Sequence, residues 1–332
     1  CFKLCDGKCP MLDDNGLCEI HKNLGEDYLG VVCKQFPRYS EYYGTIKESG
    51  IGLACEEAAR IILSENRPFS METAACDEEY EPSSEYDSSF ALQIFAAREA
   101  VFKILAKESL SIHEKLIVIL DMGSKIQQCI NTDEYDNIKS VVNDYLKEGI
   151  AHTLDETRNL SDSGQFEDIS LQQGIRQILY PYEEMEVLNP EWEVILKDII
   201  DSLFEQMSDE EYNILNEEFG TYMVSRAYEY RQLLEYFVFR YFAKSIYDYD
   251  FLGKCQMLVT NFFVIRQMDI IRWLDNHREY SFKDRMDVVH IFSRQVEYSE
   301  DNIENLYEDF IFDDIFKTDS LIAILWIDSE NI

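Results

Sequence analysis

The cysteines of this chain are concentrated at its start. Six of the nine lie within the first 55 residues, at Cys1, Cys5, Cys9, Cys18, Cys33 and Cys55. Thiolates clustered in this way are typical metal ligands, and an odd, unevenly spaced set of cysteines does not suit a disulfide framework. The sequence therefore predicts a metal centre in the N-terminal part of the chain, with a set of unrelated buried thiols as the alternative.

The spacing of these cysteines favours an iron–sulfur cluster, with zinc as the second choice. Zinc sites usually take paired ligands in C-x2-C knuckles, and the N-terminal cysteines contain no such pair. Iron–sulfur clusters accept looser spacing and take four cysteine thiolates. Cys9 also precedes Pro10, as cluster cysteines often precede a proline. His21 is a possible further ligand, although a surface histidine is the commoner outcome at such a position.

The charge of the chain limits its partners. With 65 acidic and 30 basic residues, the formal net charge is −35 at pH 7. Nucleic acid is excluded as a partner, because its binding depends on Lys and Arg that neutralise phosphates, and an anionic membrane surface is disfavoured for the same reason. An acidic field attracts cationic partners, while solubility alone is the simpler explanation of the charge.

The sequence also indicates where the protein works. No apolar run reaches the ~18 residues that a membrane-spanning helix needs, and no secretory signal is visible. We therefore expect a cytoplasmic protein, in a compartment where thiols stay reduced.

Hydrophobic periodicity predicts a mainly α fold. We expect a small cysteine-rich metal domain with a short hairpin over 1–66, an acidic linker over 67–89 and a larger all-helical domain over 90–332. Gly50 and Gly52 form G-x-G without the third glycine of the dinucleotide fingerprint, so the ordinary Rossmann fold is not expected.

Local signals place the individual elements. Strands are predicted over 39–43 and 45–53, joined at Gly44, and short helices over 17–24, ended by Gly25, and 55–63. Ser109 or Ser111 caps a helix after the one that starts at Phe90, and Asn189 caps another with Pro190 at its first position. The remaining predictions are helices over 133–154, 172–180 (ended by Pro181), 217–246, 258–274, 285–297 and 302–316, and a loop over 155–170.

Motifs at both ends of the chain resemble those of the flagellin lysine-N-methylase family. The N-terminal ones are CPMLDDNGLCEIHKNLGEDYL (9–29), CKQFPR (33–38) and LACEEAARIIL (53–63). The distal ones are LLEYFVFRYFAKS (233–245) and FSRQVEYSEDNIENL (292–306). The resemblance implies a cytoplasmic enzyme that uses S-adenosylmethionine to methylate lysine side chains on flagellin. It also implies an iron–sulfur cluster, and we predict a [4Fe–4S] cluster on Cys9, Cys18, Cys33 and Cys55.

Several polar residues inside these motifs are candidates for the site. Arg38, Arg60 and Arg294 are predicted to bind the cofactor, because arginine can hold a carboxylate with two parallel hydrogen bonds. The alternative role for each of these arginines, given equal weight, is a structural ion pair with a nearby glutamate. Tyr236, Arg240 and Glu297 are the predicted catalytic residues, with Glu297 either orienting the lysine amine or pairing with Arg294.

A second class of function remains open at this point. The chain could be a non-catalytic metal-cluster protein, such as a redox sensor or a binding protein for a lysine-rich client. The 21 Tyr and 20 Phe of the sequence do not decide between these functions, because most aromatic side chains are simply core. Uptake of S-adenosylmethionine by the metal-loaded protein would favour the enzyme.

Overall fold

The computed structural model describes residues 9–75, 87–162 and 169–330. The N-terminal part contains α1 (Glu19–Leu24), α2 (Val31–Gln35), strands β1 (Arg38–Tyr43) and β2 (Ile46–Ile51), and α3 (Glu56–Leu63). The rest consists of α4 (Ser88–Leu105), α5 (Ile112–Asn131), α6 (Ile138–Asp144), α7 (Ile150–Asp162), α8 (Leu171–Glu183), α9 (Pro190–Ile199), α10 (Asp209–Met223), α11 (Ala227–Tyr241), α12 (Ser245–Asp248), α13 (Phe251–Asp275), α14 (Phe282–Val296), α15 (Glu300–Phe312) and α16 (Thr318–Glu330). The predicted mainly α class is therefore confirmed.

Helix α13 lies at the centre of the fold. It is buried nearly all round, and it packs against α5, α9, α11 and α14. Apolar residues all round a helix require such a position, since no face can be left to water. A close approach makes this packing possible: a Cβ added at Gly123 of α5 would lie 2.5 Å from Sγ of Cys255 on α13.

The hairpin is attached to this helical core. Strands β1 and β2 pair antiparallel from Arg38 opposite Ile51 to Tyr43 opposite Ile46, and Gly44 turns the chain with a φ of 60°. Arg98 on α4 holds Glu48 of β2 in a buried ion pair at 2.5 Å. The predicted hairpin is confirmed, although β2 is shorter than the predicted 45–53.

The predicted caps explain where several helices begin. Ser111 and Glu114 form a reciprocal capping box at the start of α5, and Asn189 accepts a hydrogen bond from the backbone N–H of Glu191 ahead of α9. Pro190 occupies the first turn of α9, where its missing N–H would have no partner anyway. Gly25 ends α1 with a φ of 92°, which suits a residue without a side chain.

The prediction of one long helix over 217–246 is wrong. Helix α10 ends at Met223, a 3₁₀ turn covers Val224–Arg226, and α11 ends at Tyr241 before a further 3₁₀ turn, Phe242–Lys244, and α12. A tertiary contact lies at the first break, since the Arg226 guanidinium donates to the carbonyl oxygen of Tyr280 at 2.6 Å, while a local bond of 2.7 Å joins it to the Glu229 carboxylate. Periodicity alone does not register such partners.

Other boundaries also differ from the prediction: α13 begins at Phe251 and not at 258, and α15 ends at Phe312 and not at 316. Pro181 does not end α8, which continues to Glu183; a proline this near the C-terminus removes only one of the last helical hydrogen bonds. The predicted helix over 133–154 is interrupted by a 3₁₀ turn, Tyr135–Asn137, and a π turn, Tyr145–Gly149. The loop prediction over 155–170 is wrong as far as 162, because α7 continues there; the part over 163–168 lies outside the described residues.

The N-terminal part and the helices contribute to the same buried apolar cluster. Tyr43, Leu53 and Leu63 are members of it, together with residues from the helices that follow. Phe69, in the predicted linker, stacks on Phe102 of α4 with ring centroids 4.1 Å apart. The division into 1–66, 67–89 and 90–332 stays a prediction, although α4 already begins at Ser88. None of the described helices has both the length and the apolar character that crossing a membrane demands.

Candidate functional site

The three predicted catalytic residues meet in one buried cluster. Tyr236 and Arg240 lie one turn apart on α11, and Glu297 caps the C-terminus of α14. The Tyr236 hydroxyl donates to Oε2 of Glu297 at 2.6 Å and accepts from Nη1 of Arg240 at 2.9 Å. Arg240 also pairs with Glu297 at 3.3 Å, so the predicted pairing of Glu297 with Arg294 gives way to one with Arg240.

Burial sets the electrostatics of this cluster. It raises the pKa of Glu297, and the charge of Arg240 opposes that rise. Burial acts to lower the pKa of Arg240, but the carboxylate of Glu297 and the neighbouring tyrosines outweigh it, so that the pKa is raised. The pKa of Tyr236 is raised by burial and then by Glu297, and its hydroxyl therefore remains a neutral donor at physiological pH.

The hairpin and the loop after it close over the cluster. The Arg240 guanidinium lies 4.5 Å from the ring centroid of Tyr39 and 5.9 Å from that of Tyr298. A Cβ at Gly52 would lie 3.0 Å from the Tyr298 hydroxyl and 3.3 Å from Nη1 of Arg240. Gly52 therefore suits this close packing, because a side chain there would push against the Tyr298 hydroxyl and the Arg240 guanidinium.

A large cavity lies beside this cluster, between the start of α3 and the end of α14. This first cavity has a volume of about 840 Å³. Its charged lining consists of the carboxylates Glu56 and Glu57 and the guanidinium groups of Arg60 and Arg294. Phe36 and Tyr298 contribute aromatic surface to it, and Tyr298 connects it to Arg240.

The structure separates the three arginines predicted to bind a cofactor. Arg60 and Arg294 both line the first cavity, whereas Arg38 does not. Arg60 forms two hydrogen bonds with Glu57, at 2.6 and 2.8 Å, but remains exposed, so this pair is a weak one that a ligand can rearrange. Arg38 is exposed at the start of β1, with a long 3.4 Å contact to the carbonyl oxygen of Lys34.

A second cavity, of about 560 Å³, adjoins the first. The two share the lining residues Glu56, His290 and Arg294, and we call the two adjoining cavities together the cleft. The second cavity has buried apolar residues at its base, Met268, Ile271 and Ile291. Five carboxylates surround them, those of Glu56, Glu191, Asp198, Asp275 and Asp287, against two guanidinium groups, those of Arg272 and Arg294, so acidic groups predominate in the lining. This composition suits a cationic group with an apolar stem, which is the chemistry of a lysine side chain.

Sequence reasoning missed His290 and Tyr298. His290 lies at the junction of the two cavities, and its Nδ1 is buried without a hydrogen-bond partner among the described residues. One signal was available in the sequence: Met286, His290 and Arg294 follow each other at intervals of four, which puts them on one face of α14. Tyr298 lies just beyond the end of α14, so helical periodicity does not predict the position of its side chain.

The four predicted metal ligands differ in exposure. Cys33 is exposed, Cys9, Cys18 and Cys55 are partly buried, and Cys55 lines the first cavity. Over 9–75, 87–162 and 169–330, no group of three or more His, Cys, Asp or Glu side chains is arranged to hold a metal ion. Cys1, Cys5 and Cys76 lie outside the described residues. The iron–sulfur cluster therefore stays a prediction, and we derive no chemical step through one.

A family model described as the FliB lysine N-methylase C-terminal domain matches residues 98–324. This range contains α11 and α14, and so it contains every member of the Tyr236–Arg240–Glu297 cluster. It ends ahead of the last residues of α16 and does not include the hairpin or α3.

Three curated proteins are similar over a shorter stretch. A flagellar biosynthetic protein FliU of Salmonella muenchen is 37% identical over 59 residues, which are 18% of this chain and 35% of that protein. Lysine-N-methylases of Salmonella typhimurium and Salmonella choleraesuis are also 37% identical over 59 residues, which cover 18% of this chain and 15% of each enzyme. The match thus spans a small part of these relatives. No solved structure gives a significant match to the chain.

Proposed function

The chain belongs to the family of the FliB lysine N-methylase C-terminal domain, whose model covers more than half of it, and on this premise we propose that it transfers methyl groups from S-adenosylmethionine to lysine side chains of flagellin. The observation that carries this function beyond the family is the cleft made of the first and second cavities. It offers one compartment suited to the cofactor and an adjoining one suited to a lysine. The proposed reaction takes place in the cytoplasm.

The first cavity suits S-adenosylmethionine by volume and by its chemical groups. About 840 Å³ is ample for a ligand of that size. Arg294 and Arg60 would hold the carboxylate of its amino-acid part, while Glu56 and Glu57 would take the ammonium and hydroxyl groups. Phe36 and Tyr298 provide faces for the purine ring or the sulfonium. When bound, the cofactor supplies an electrophilic methyl group on its sulfonium sulfur.

The residues of the second cavity would deliver the lysine. Its carboxylates attract the ammonium form from solution, and its apolar base accommodates the methylene stem. Only the neutral amine attacks a methyl group, so a proton must leave. We assign its acceptance to His290, because the imidazole lies at the junction of the cavities and its Nδ1 has no partner among the described residues.

The Tyr236–Arg240–Glu297 cluster positions these groups. Glu297 has a fully buried side chain and lines neither cavity, so its proposed role is to fix Arg240. Arg240 in turn stacks on Tyr39 and Tyr298, which holds the hairpin and one wall of the first cavity in place. The earlier prediction that Glu297 orients the amine directly stays untested, and this indirect role is the one that the surrounding contacts support.

The iron–sulfur cluster is a separate prediction that rests on the cysteine pattern and the family resemblance. Anaerobically purified protein should contain iron and sulfide, and Cys18→Ala should lower both, while the matched control Cys129→Ala on α5 should not. Full iron content in Cys18→Ala would remove Cys18 from the ligand set. Zinc in place of iron would overturn the choice of metal.

Two measurements test the proposed function. Calorimetry should detect binding of S-adenosylmethionine by the intact chain; no uptake by metal-loaded protein would favour a non-catalytic binding protein. Association with flagellin should weaken as salt rises, because the Debye length falls to about 8 Å at physiological ionic strength. Association that is unchanged between low and high salt would contradict the acidic docking of the substrate.

A further inference from the structure

One buried cation has no counter-ion among the described residues. The buried basic side chains on the helices are Arg98, Lys115, Lys254, Arg266 and Arg285. Four of them have a carboxylate within 4.0 Å: Arg98 pairs with Glu48, Lys254 with Asp248, Arg266 with Asp328 and Arg285 with Asp269. Lys115 on α5 is only 5% exposed and forms no such pair within the described ranges.

The side chain of Lys115 lines a cavity of about 450 Å³. This Lys115 cavity lies between the loop after α3, the start of α5 and the start of α11. Pro68, Leu110 and Ile112 contribute apolar surface to it, and Arg231 contributes a second cation. It shares no lining residue with the first or second cavity, so it is independent of the proposed methylation site.

The neighbouring charges do not satisfy Lys115. Arg231 is already engaged, since it bonds Glu235 at 2.6 Å and the side chain of Asn66 at 2.9 Å. Burial lowers the pKa of Lys115, and Arg231 adds to that effect, while Glu235, Glu108 and Glu114 oppose it. The Lys115 ammonium faces a cavity while the rest of the side chain is buried, so it is partly desolvated without a counter-charge, and an anion delivered by a ligand would compensate it.

We propose that the Lys115 cavity binds a small organic carboxylate, with the Lys115 ammonium as its anchor. A single negative charge is favoured over a phosphate dianion, because Glu108 also lines the cavity and Glu235 neutralises Arg231. The apolar walls suit a compact hydrocarbon body on the carboxylate. The ligand would connect the Asn66–Pro68 loop, through Arg231, to α5 and α11.

Benzoate and benzamide form a matched pair of probes, because they have the same shape and differ in charge. Titration of the full chain, followed by thermal unfolding and calorimetry, should show that benzoate binds and raises the melting temperature, whereas benzamide binds at least about tenfold more weakly. Equal affinity for the two probes, or no binding of benzoate, would overturn the proposal.

The variant Lys115→Met tests the anchor. Benzoate affinity should fall by at least about tenfold, while Lys103→Met, on the exposed face of α4, should bind as the wild type does. Benzoate binding that survives in a folded Lys115→Met variant would contradict the assignment. Should that variant fail to fold, ¹⁵N NMR of the Lys115 amine in the wild type decides instead. The pKa of this amine should rise when benzoate binds. An unchanged pKa would show that benzoate does not contact Lys115.

Discussion

Tyr236 and Glu297 are 61 residues apart in the sequence, and a hydrogen bond of 2.6 Å joins them in the structure. The bond connects α11 to the end of α14, and both side chains are buried. Arg240 completes the contact by bonding the same phenol at 2.9 Å and the same carboxylate at 3.3 Å. These bonds hold α11 against the end of α14, and through Arg240 they reach Tyr298, which lines the first cavity.

Loss of Glu297 should destabilise the protein strongly. Glu297→Gln leaves Arg240 nearly buried without its counter-charge, so we expect the free energy of unfolding in urea to fall by about 3 kcal/mol. The control Glu304→Gln, at an exposed position of α15, should change it by no more than about 0.5 kcal/mol. The double variant with Arg240→Met should lose less than the sum of the single losses. Additive losses would mean that the two side chains do not act as a pair.

Arg294 and Arg38 should differ in their effect on cofactor affinity. Arg294→Ala removes a guanidinium from the first cavity, and a lost charge-assisted hydrogen bond is worth about 1.5–3 kcal/mol, so S-adenosylmethionine should bind roughly 10- to 100-fold more weakly. Arg38→Ala should bind it as the wild type does, because Arg38 does not line that cavity. Calorimetric titration of both variants decides. A larger loss of affinity in Arg38→Ala than in Arg294→Ala would place the cofactor nearer β1.

His290 should affect the pH profile of methylation. Without it the ammonium proton must leave to solvent, so His290→Asn should lower kcat at pH 7 by about 100-fold. Activity should recover towards pH 10, where lysine deprotonates unaided. The measurement is kcat against pH for both proteins, with circular dichroism to confirm folding. A uniform loss at every pH would indicate a structural role for His290.

Protonation of Asp328 should account for part of the fall in unfolding free energy at acid pH. Burial alone would raise its pKa, but Arg266 and His113 outweigh burial and lower the pKa from the ordinary 3.8 to about 2. The folded carboxylate therefore stabilises the protein above pH 4, by about 2 kcal/mol, and this contribution is lost as the pH falls through about 2.

Urea unfolding measures the contribution of the Asp328 carboxylate to stability. The wild type and Asp328→Asn are compared from pH 6 down to pH 3. The difference in unfolding free energy between the two proteins should shrink as the pH falls. A difference that stays constant over this range would show that Asp328 has an ordinary pKa in the folded state.

Local features of the fold followed from the sequence. The caps at Ser111 and Asn189, the stop at Gly25 and the turn at Gly44 depend on residues within a few positions of each other, and all were predictable. Tyr236, Arg240 and Glu297 were selected because they stand in motifs that resemble those of a family, and the structure places the three side chains in contact. The roles of these three residues could not be predicted in the same way. Sequence spacing does not show that the Glu297 side chain is buried and lines neither cavity.

Features that depend on tertiary contacts did not follow from the sequence. The break after Met223 is held by Arg226 and the carbonyl oxygen of Tyr280, which periodicity within one segment does not include. The cleft itself is assembled from α3, α9, α13 and α14, and the position of His290 at its junction exists only after these helices pack. Lys115 likewise looks like an ordinary helix residue in the sequence, and only the packed structure shows that it has no counter-ion among the described residues.

Methyl transfer measured by mass spectrometry tests the central claim most directly. Purified protein incubated with S-adenosylmethionine and flagellin should produce flagellin whose lysine-containing peptides gain mass in steps of about 14 Da, and Arg294→Ala should slow this gain. Flagellin that shows no gain on lysine, with a wild-type protein that demonstrably binds the cofactor, would contradict the assignment of this chain as a flagellin lysine methyltransferase.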